Sequence, residues 1–143
     1  MVEPGIQGGC FCNSVRYLVN GPLQNARACH CSRCRKVFSG ASSAYAELAP
    51  SASLEWTSGE TYLTAYETGD GWAMAFCSKC GSTICGLRNG QVHGLTLGCI
   101  DGDPGVEIEM HIFVESKAPW DHIGGNAEQY AEHAIMGIRS GDA

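Results

Sequence analysis

Nine cysteines in a chain of 143 residues constrain this sequence more than any other feature. Seven of them fall into three tight clusters: Cys10-Phe11-Cys12, Cys29-His30-Cys31-Ser32-Arg33-Cys34, and Cys77-Ser78-Lys79-Cys80-Gly81. A disulfide framework goes with export and usually with an even count. The opening Met1-Val2-Glu3-Pro4-Gly5 has no basic segment followed by an apolar one, so no signal peptide is expected. The expectation is therefore metal. Two residues between cysteines let one tight turn aim both sulfurs and some backbone N–H groups at a tetrahedral ion, and a one-residue gap can do so from a sharp bend.

Seven clustered sulfurs make one full four-ligand site and leave another short of a ligand. The simplest pairing joins Cys10 and Cys12 to Cys77 and Cys80 in a closed, structural zinc site, whose halves lie some 65 residues apart. A redox dithiol is the competing reading of Cys77 and Cys80. It lacks the strand-to-helix context of such motifs, because Gly81 and the β-prone Ser82–Leu87 follow. The triplet Cys29, Cys31 and Cys34 reads either as a second zinc with a vacant fourth position or as a structural zinc completed by His30 or a distant histidine. Cys85 and Cys99, in apolar strand-like runs, are expected to be small buried hydrophobes.

Composition narrows the class. Charged residues make up 17% of the chain and the formal net charge is −6, which opposes a phosphate-rich partner, so no nucleic acid is expected. No apolar run approaches the roughly 18 residues of a membrane span, so no membrane partner is expected either. With 44% hydrophobic residues the chain is not a disordered acidic one. One cytoplasmic, zinc-binding domain over residues 1–143 is the expectation, with no linker or repeat.

Short β-prone runs punctuated by glycine make up the scaffold. They are Ser14–Val19, Ala44–Leu48, Leu54–Thr57, Thr61–Glu67, Trp72–Phe76, Ser82–Leu87 and Gln91–Leu97, with Asn89-Gly90 as a hairpin turn. The clearest alternation sets Val106, Ile108, Met110, Ile112 and Val114 against Glu107, Glu109, His111, Phe113 and Glu115, predicting one strand across 106–115. Asn126 as cap, Gln129 three residues on, and Tyr130–Ile135 predict a helix near the end. The predicted fold class is all-β, mainly antiparallel and zinc-stabilised, with one short C-terminal helix. Trp120, after Pro119, is expected to be a core or lid aromatic.

The series Gly9-Cys10-Phe11-Cys12 before Val15-Arg16-Tyr17, then Cys29 to Lys36, then Phe76 to Ser82, then His111-Ile112-Phe113-Val114 with Ala118-Pro119-Trp120, resembles the glutathione-dependent formaldehyde-activating enzyme family, also called centromere protein V-like. The resemblance runs from about residue 8 to residue 121. One departure is Asn13, where glycine is common after the second cysteine. The resemblance implies a β-tent fold with two zinc ions per chain, a structural one on Cys10, Cys12, Cys77 and Cys80 and a second on Cys29, Cys31 and Cys34. It also implies a carbon–sulfur lyase joining glutathione to formaldehyde as S-hydroxymethylglutathione.

A zinc dication with three thiolates carries one net negative charge, making it a poor acid toward water but a soft site suited to a fourth sulfur. The expected chemistry is thus addition of glutathione, or a related small thiol, to a small aldehyde rather than hydrolysis. Arg27, Arg33, Arg35 and Lys36, four of nine basic residues within ten positions, are candidates to bind an anionic thiol, or else they balance the thiolates or lie on a solvated face. His111 is a candidate acid, base or hydrogen-bond partner beside the second zinc, against a purely structural histidine; His30 points either toward the open position or away. His93, His122 and His133 carry no positional signal. The rival classes are a non-catalytic binding or chaperone-like module and a thiol-based redox or metal sensor.

Overall fold

In the computed structural model, residues 5–133 are described, and they form two compact units, each made from separate stretches of chain. The first unit takes the chain up to Gln24 and again from Ala46 to Val106; the second takes Asn25–Tyr45 and the chain from Glu107 onward.

The first unit is antiparallel throughout. Strands β1 (Ile6–Gly9), β2 (Arg16–Asn20) and, after an interval of chain, β5 (Ser53–Ser58) form a three-stranded sheet in the order β1-β2-β5. Within the interval lie β3 (Leu23–Cys29), the helix α1 (Ser32–Phe38) and β4 (Ser43–Leu48). The chain then runs up and down through β6 (Leu63–Gly69), β7 (Trp72–Cys77), β8 (Thr83–Arg88) and β9 (Gln91–Thr96). Arg88 pairs with Gln91 across the loop Asn89-Gly90, whose φ values of 51° and 82° are the left-handed pair that a two-residue hairpin turn demands. Alternation puts Ala73, Ala75 and Cys77 of β7 inward and Met74 and Phe76 on the less buried face. Gly59 has φ 71°, and a Cβ there would collide with the backbone oxygen of Ser14, so the approach of β5 to the β1–β2 loop requires glycine.

The second unit holds parallel pairings within this mainly antiparallel fold. Strand β10 (Met110–Ile112) pairs in parallel with β3, setting His111 against Ala28 and Ile112 against Cys29, and β11 (Glu128–Gln129) pairs in parallel with β10. Cys29 and Ile112 are buried together, with Cys31, Cys34, Met110, Phe113 and Tyr130 packed around them.

Three expectations are corrected. The helix is not C-terminal: α1 occupies residues 32–38, Glu128–Gln129 is a strand, and residues 130–133 are irregular. Ala134 and Ile135 of the expected helix lie outside the described residues. The capping pattern at Asn126 contributes only about 1 kcal/mol, whereas β10 gains a partner for its open edge from β11. The strand expected over 106–115 is confined to Met110–Ile112, although the alternation survives as burial from Val106 to Met110. It stops because Phe113 turns left-handed at φ 56° into a 3-10 turn, Val114–Ser116. Cys85 is fully buried in β8, as expected, but Cys99 is half-buried in a 3-10 turn, Leu97–Cys99; of the two places expected for Trp120, core or lid, its 68% exposure excludes the core.

Candidate metal centres

The four-sulfur centre is assembled by two hairpin ends of the first unit. Between β1 and β2 the Cys10 N–H donates to Val15 O (3.1 Å), and between β7 and β8 the Cys77 N–H donates to Ser82 O (3.0 Å). Both loops thus close over five positions, with Cys10 and Cys77 buried, Cys80 half-buried and Cys12 exposed. Asn13 holds φ 65°, a left-handed conformation that asparagine tolerates, which accounts for its standing where glycine is common. A Cβ on Gly9 would collide with Val15 O. The Phe11 N–H donates to Ser82 Oγ (2.9 Å), tying the two loops together.

All four sulfurs of Cys10, Cys12, Cys77 and Cys80 lie within 4.8 Å of one another. Cys10 to Cys12 is 3.6 Å and Cys12 to Cys77 is 3.9 Å. Four sulfurs at about 2.3 Å from a tetrahedral ion stand about 3.8 Å apart, so the spacing fits zinc. Backbone N–H groups of Val15 and Lys79 donate to the sulfurs of Cys10 (3.3 Å) and Cys77 (3.4 Å). The hydroxyl and backbone of Ser82 pull the Cys80 thiol down to about 5, and Ser14 does the same in kind for Cys12; burial pushes Cys77 up.

The three-sulfur centre belongs to the second unit and is local. Cys29 ends β3, Cys31 caps α1, and Cys34 sits in its first turn, where its N–H donates to Cys31 Sγ (3.3 Å). The three sulfurs again lie within 4.8 Å of one another, and among the described residues no other cysteine, histidine or carboxylate joins them. Cys29 is buried, while Cys31 and Cys34 are half-buried. Crowding drives Cys29 and Cys34 apart. Hydrogen bonding from Cys29, then Ser43 and Cys31, with the nearby Arg33 charge, lowers Cys34 to about 6; the same contact with Cys34, and burial, push Cys29 up. This donor set also fits a thiophilic, tetrahedral ion.

His30 does not complete the triplet. It is 2% exposed, and its Nε2 lies 2.9 Å from His111 Nδ1. Burial lowers both imidazoles, so both are neutral near pH 7. Of the four expected cations, Arg33 and Lys36 are exposed on α1. Arg35 is half-buried and its Nε donates to His30 O (3.3 Å). Arg27 is only 9% exposed, with its guanidinium 5.3 Å from the Tyr45 ring centre and donating to Asn25 O (3.1 Å). The contact between His30 and His111 was missed because its only signal is the parallel register of β3 and β10, which joins positions 81 apart.

Fold and sulfur groups together define a mainly antiparallel β protein with two centres compatible with zinc. The chain belongs to the glutathione-dependent formaldehyde-activating enzyme family, which it matches over residues 5–116. No curated protein matches it. It is similar to the crystal structure of a Rhodobacter sphaeroides protein, a structural genomics target, with 28% identity and a TM-score of 0.51 over 71% of this chain and 96% of that one. Among the described residues no helix is long and apolar enough to cross a membrane.

Proposed function

We propose that this protein is a cytoplasmic, zinc-dependent carbon–sulfur lyase that adds glutathione, or a related small thiol, to formaldehyde or a similar small aldehyde. The observation that carries the reading is the three-sulfur centre without a fourth protein ligand among the described residues, in a chain of this family. Cys10, Cys12, Cys77 and Cys80 would hold one ion as a closed structural site, and Cys29, Cys31 and Cys34 a second. Bound there, zinc would supply a position at which an incoming thiol is kept in its reactive, deprotonated form.

The chain's own residues have three tasks. The sulfurs of Cys29, Cys31 and Cys34 hold the open site at the junction of β3 and α1. The exposed Arg33 and Lys36 offer charge to the carboxylates of glutathione, and Arg35, which also braces His30, adds a nearby cation. A C–S bond forms to the carbonyl carbon, and the thiol proton ends on the hydroxymethyl oxygen. Neither compact unit is one continuous stretch of chain, which supports treating residues 1–143 as a single domain.

Thiols and formaldehyde combine spontaneously, so the test is exchange between free and S-hydroxymethylated glutathione, followed by NMR with and without protein. Acceleration above background that disappears in Cys31→Ser but persists in Cys85→Ala supports the reading. Equal rates for Cys31→Ser and the unaltered protein, both holding two zinc ions, overturn it.

A further inference from the structure

We propose that His30 and His111 form a hydrogen-bonded pair of fixed polarity, behind the three-sulfur centre, that positions Cys29 and Cys31 for the open metal site. The inference rests on the zinc reading of that centre.

The backbone places the pair. The sulfurs of Cys29 and Cys31 meet in one group, whereas the His30 side chain between them meets His111 instead. The two sulfurs converge on one side and His30 goes to the other. Ile112 packs with Cys29, so its neighbour His111 shares the face of His30, and the 2.9 Å contact follows. Neither imidazole therefore reaches the sulfurs as an acid or a base.

Between the Cα atoms of Cys29 and Cys31, the φ and ψ of His30 decide how far apart the two sulfurs stand. His30 is held at three of its four polar groups, Nδ1 being the exception. Its N–H donates to Ile112 O (3.0 Å), its carbonyl accepts from Arg35 Nε (3.3 Å), and its side chain meets His111. Such a clamp fixes the bend before any ion arrives.

The polarity follows from burial. His30 Nδ1 is buried with no partner. An orphaned buried N–H is rarer and costlier than an unfilled lone pair. The proton of His30 accordingly sits on Nε2 and donates to His111 Nδ1. His111, half-buried, then carries its own proton on Nε2, within reach of water.

Nitrogen-15 NMR of the unaltered protein should show His30 protonated at Nε2 and bare at Nδ1. In His111→Asn the amide oxygen stands near the lost Nδ1 and still accepts; in His111→Leu nothing does; in His111→Gln the amide lies one carbon too far out. The expected result is a 10–100-fold weaker hold on the second ion, by chelator competition, for the Leu and Gln variants, with near-normal affinity for Asn and the first ion unchanged in all three. If the Leu variant fails to fold, the contrast between Asn and Gln decides. Equal affinities for Asn and Gln, or a proton on His30 Nδ1, overturn the proposal. If the unaltered protein takes no second ion, the zinc reading is what fails, and the tautomer of His30 still judges the pair.

Discussion

The two sulfur centres use one residue type on two different backbones. The four-sulfur centre draws on loops some 65 positions apart, each closed by a backbone hydrogen bond five residues long. The three-sulfur centre is contained in six consecutive residues, where a strand end becomes a helix start. Closing the first on an ion would fix a long loop, coupling ion binding to the folding of that unit. Closing the second would fix almost no additional chain, so an ion there would come and go at little cost to the fold. A saturated site far apart in sequence stabilises; an unsaturated local one is left free for ligand exchange.

That contrast is broken most sharply by single cysteine substitutions. Cys77→Ser removes a fully buried sulfur and leaves Cys10, Cys12 and Cys80 one ligand short, and should cost several kcal/mol or abolish folding. Cys31→Ser should leave the fold intact and remove only the second ion and the activity. Thermal unfolding with metal analysis separates the two, and equal loss of stability in both variants would erase the distinction.

Next in size is the order of metal loss. A competing chelator should withdraw zinc in two phases, the faster from Cys29, Cys31 and Cys34, with activity ending at the first phase. A single phase would mean that the centres are equivalent.

Protons sharpen the comparison within each centre. A thiol lowered in the folded state stays ionised, and contributes stability, above its unfolded value, and loses that contribution as pH falls through its folded value. For Cys34 of the metal-free protein the window runs from about 8.5 for a free thiol down to about 6. Alkylation followed by mass spectrometry should therefore show Cys34 half-reactive near pH 6 and Cys80 near pH 5. Cys29 and Cys77, both raised, should stay unreactive there. Uniform reactivity across each cluster contradicts this.

The smallest effect belongs to the exposed cations. Replacing Arg33 and Lys36 together by alanine should weaken binding of glutathione several-fold, consistent with exposed charge pairs of about 0.2–1 kcal/mol each, while zinc content is unchanged. A neutral thiol such as 2-mercaptoethanol should bind both proteins alike.

The sulfur groups were legible because metal ligation by hairpin loops and caps is written in spacings of one to three residues. Most antiparallel strands were legible for a similar reason, since alternation and turns such as Asn89-Gly90 are local. The helix α1 was not, because seven residues are too few to show a period and its cap is a cysteine. Around Asn126 a genuine local signal pointed the wrong way, because the open edge of β10 recruits Glu128 and Gln129. Parallel pairing leaves no local mark at all, so the meeting of His30 with His111 could be found only in three dimensions.

The central claim, one ion enclosed by sulfur and one with a place to spare, is tested most directly by X-ray absorption at the zinc edge, before and after glutathione. Two ions per chain, one bound by four sulfurs and the other by three with a light atom that glutathione replaces by sulfur, is the result predicted. A spectrum unchanged by glutathione, or a histidine nitrogen permanently bound at the second ion, would contradict it.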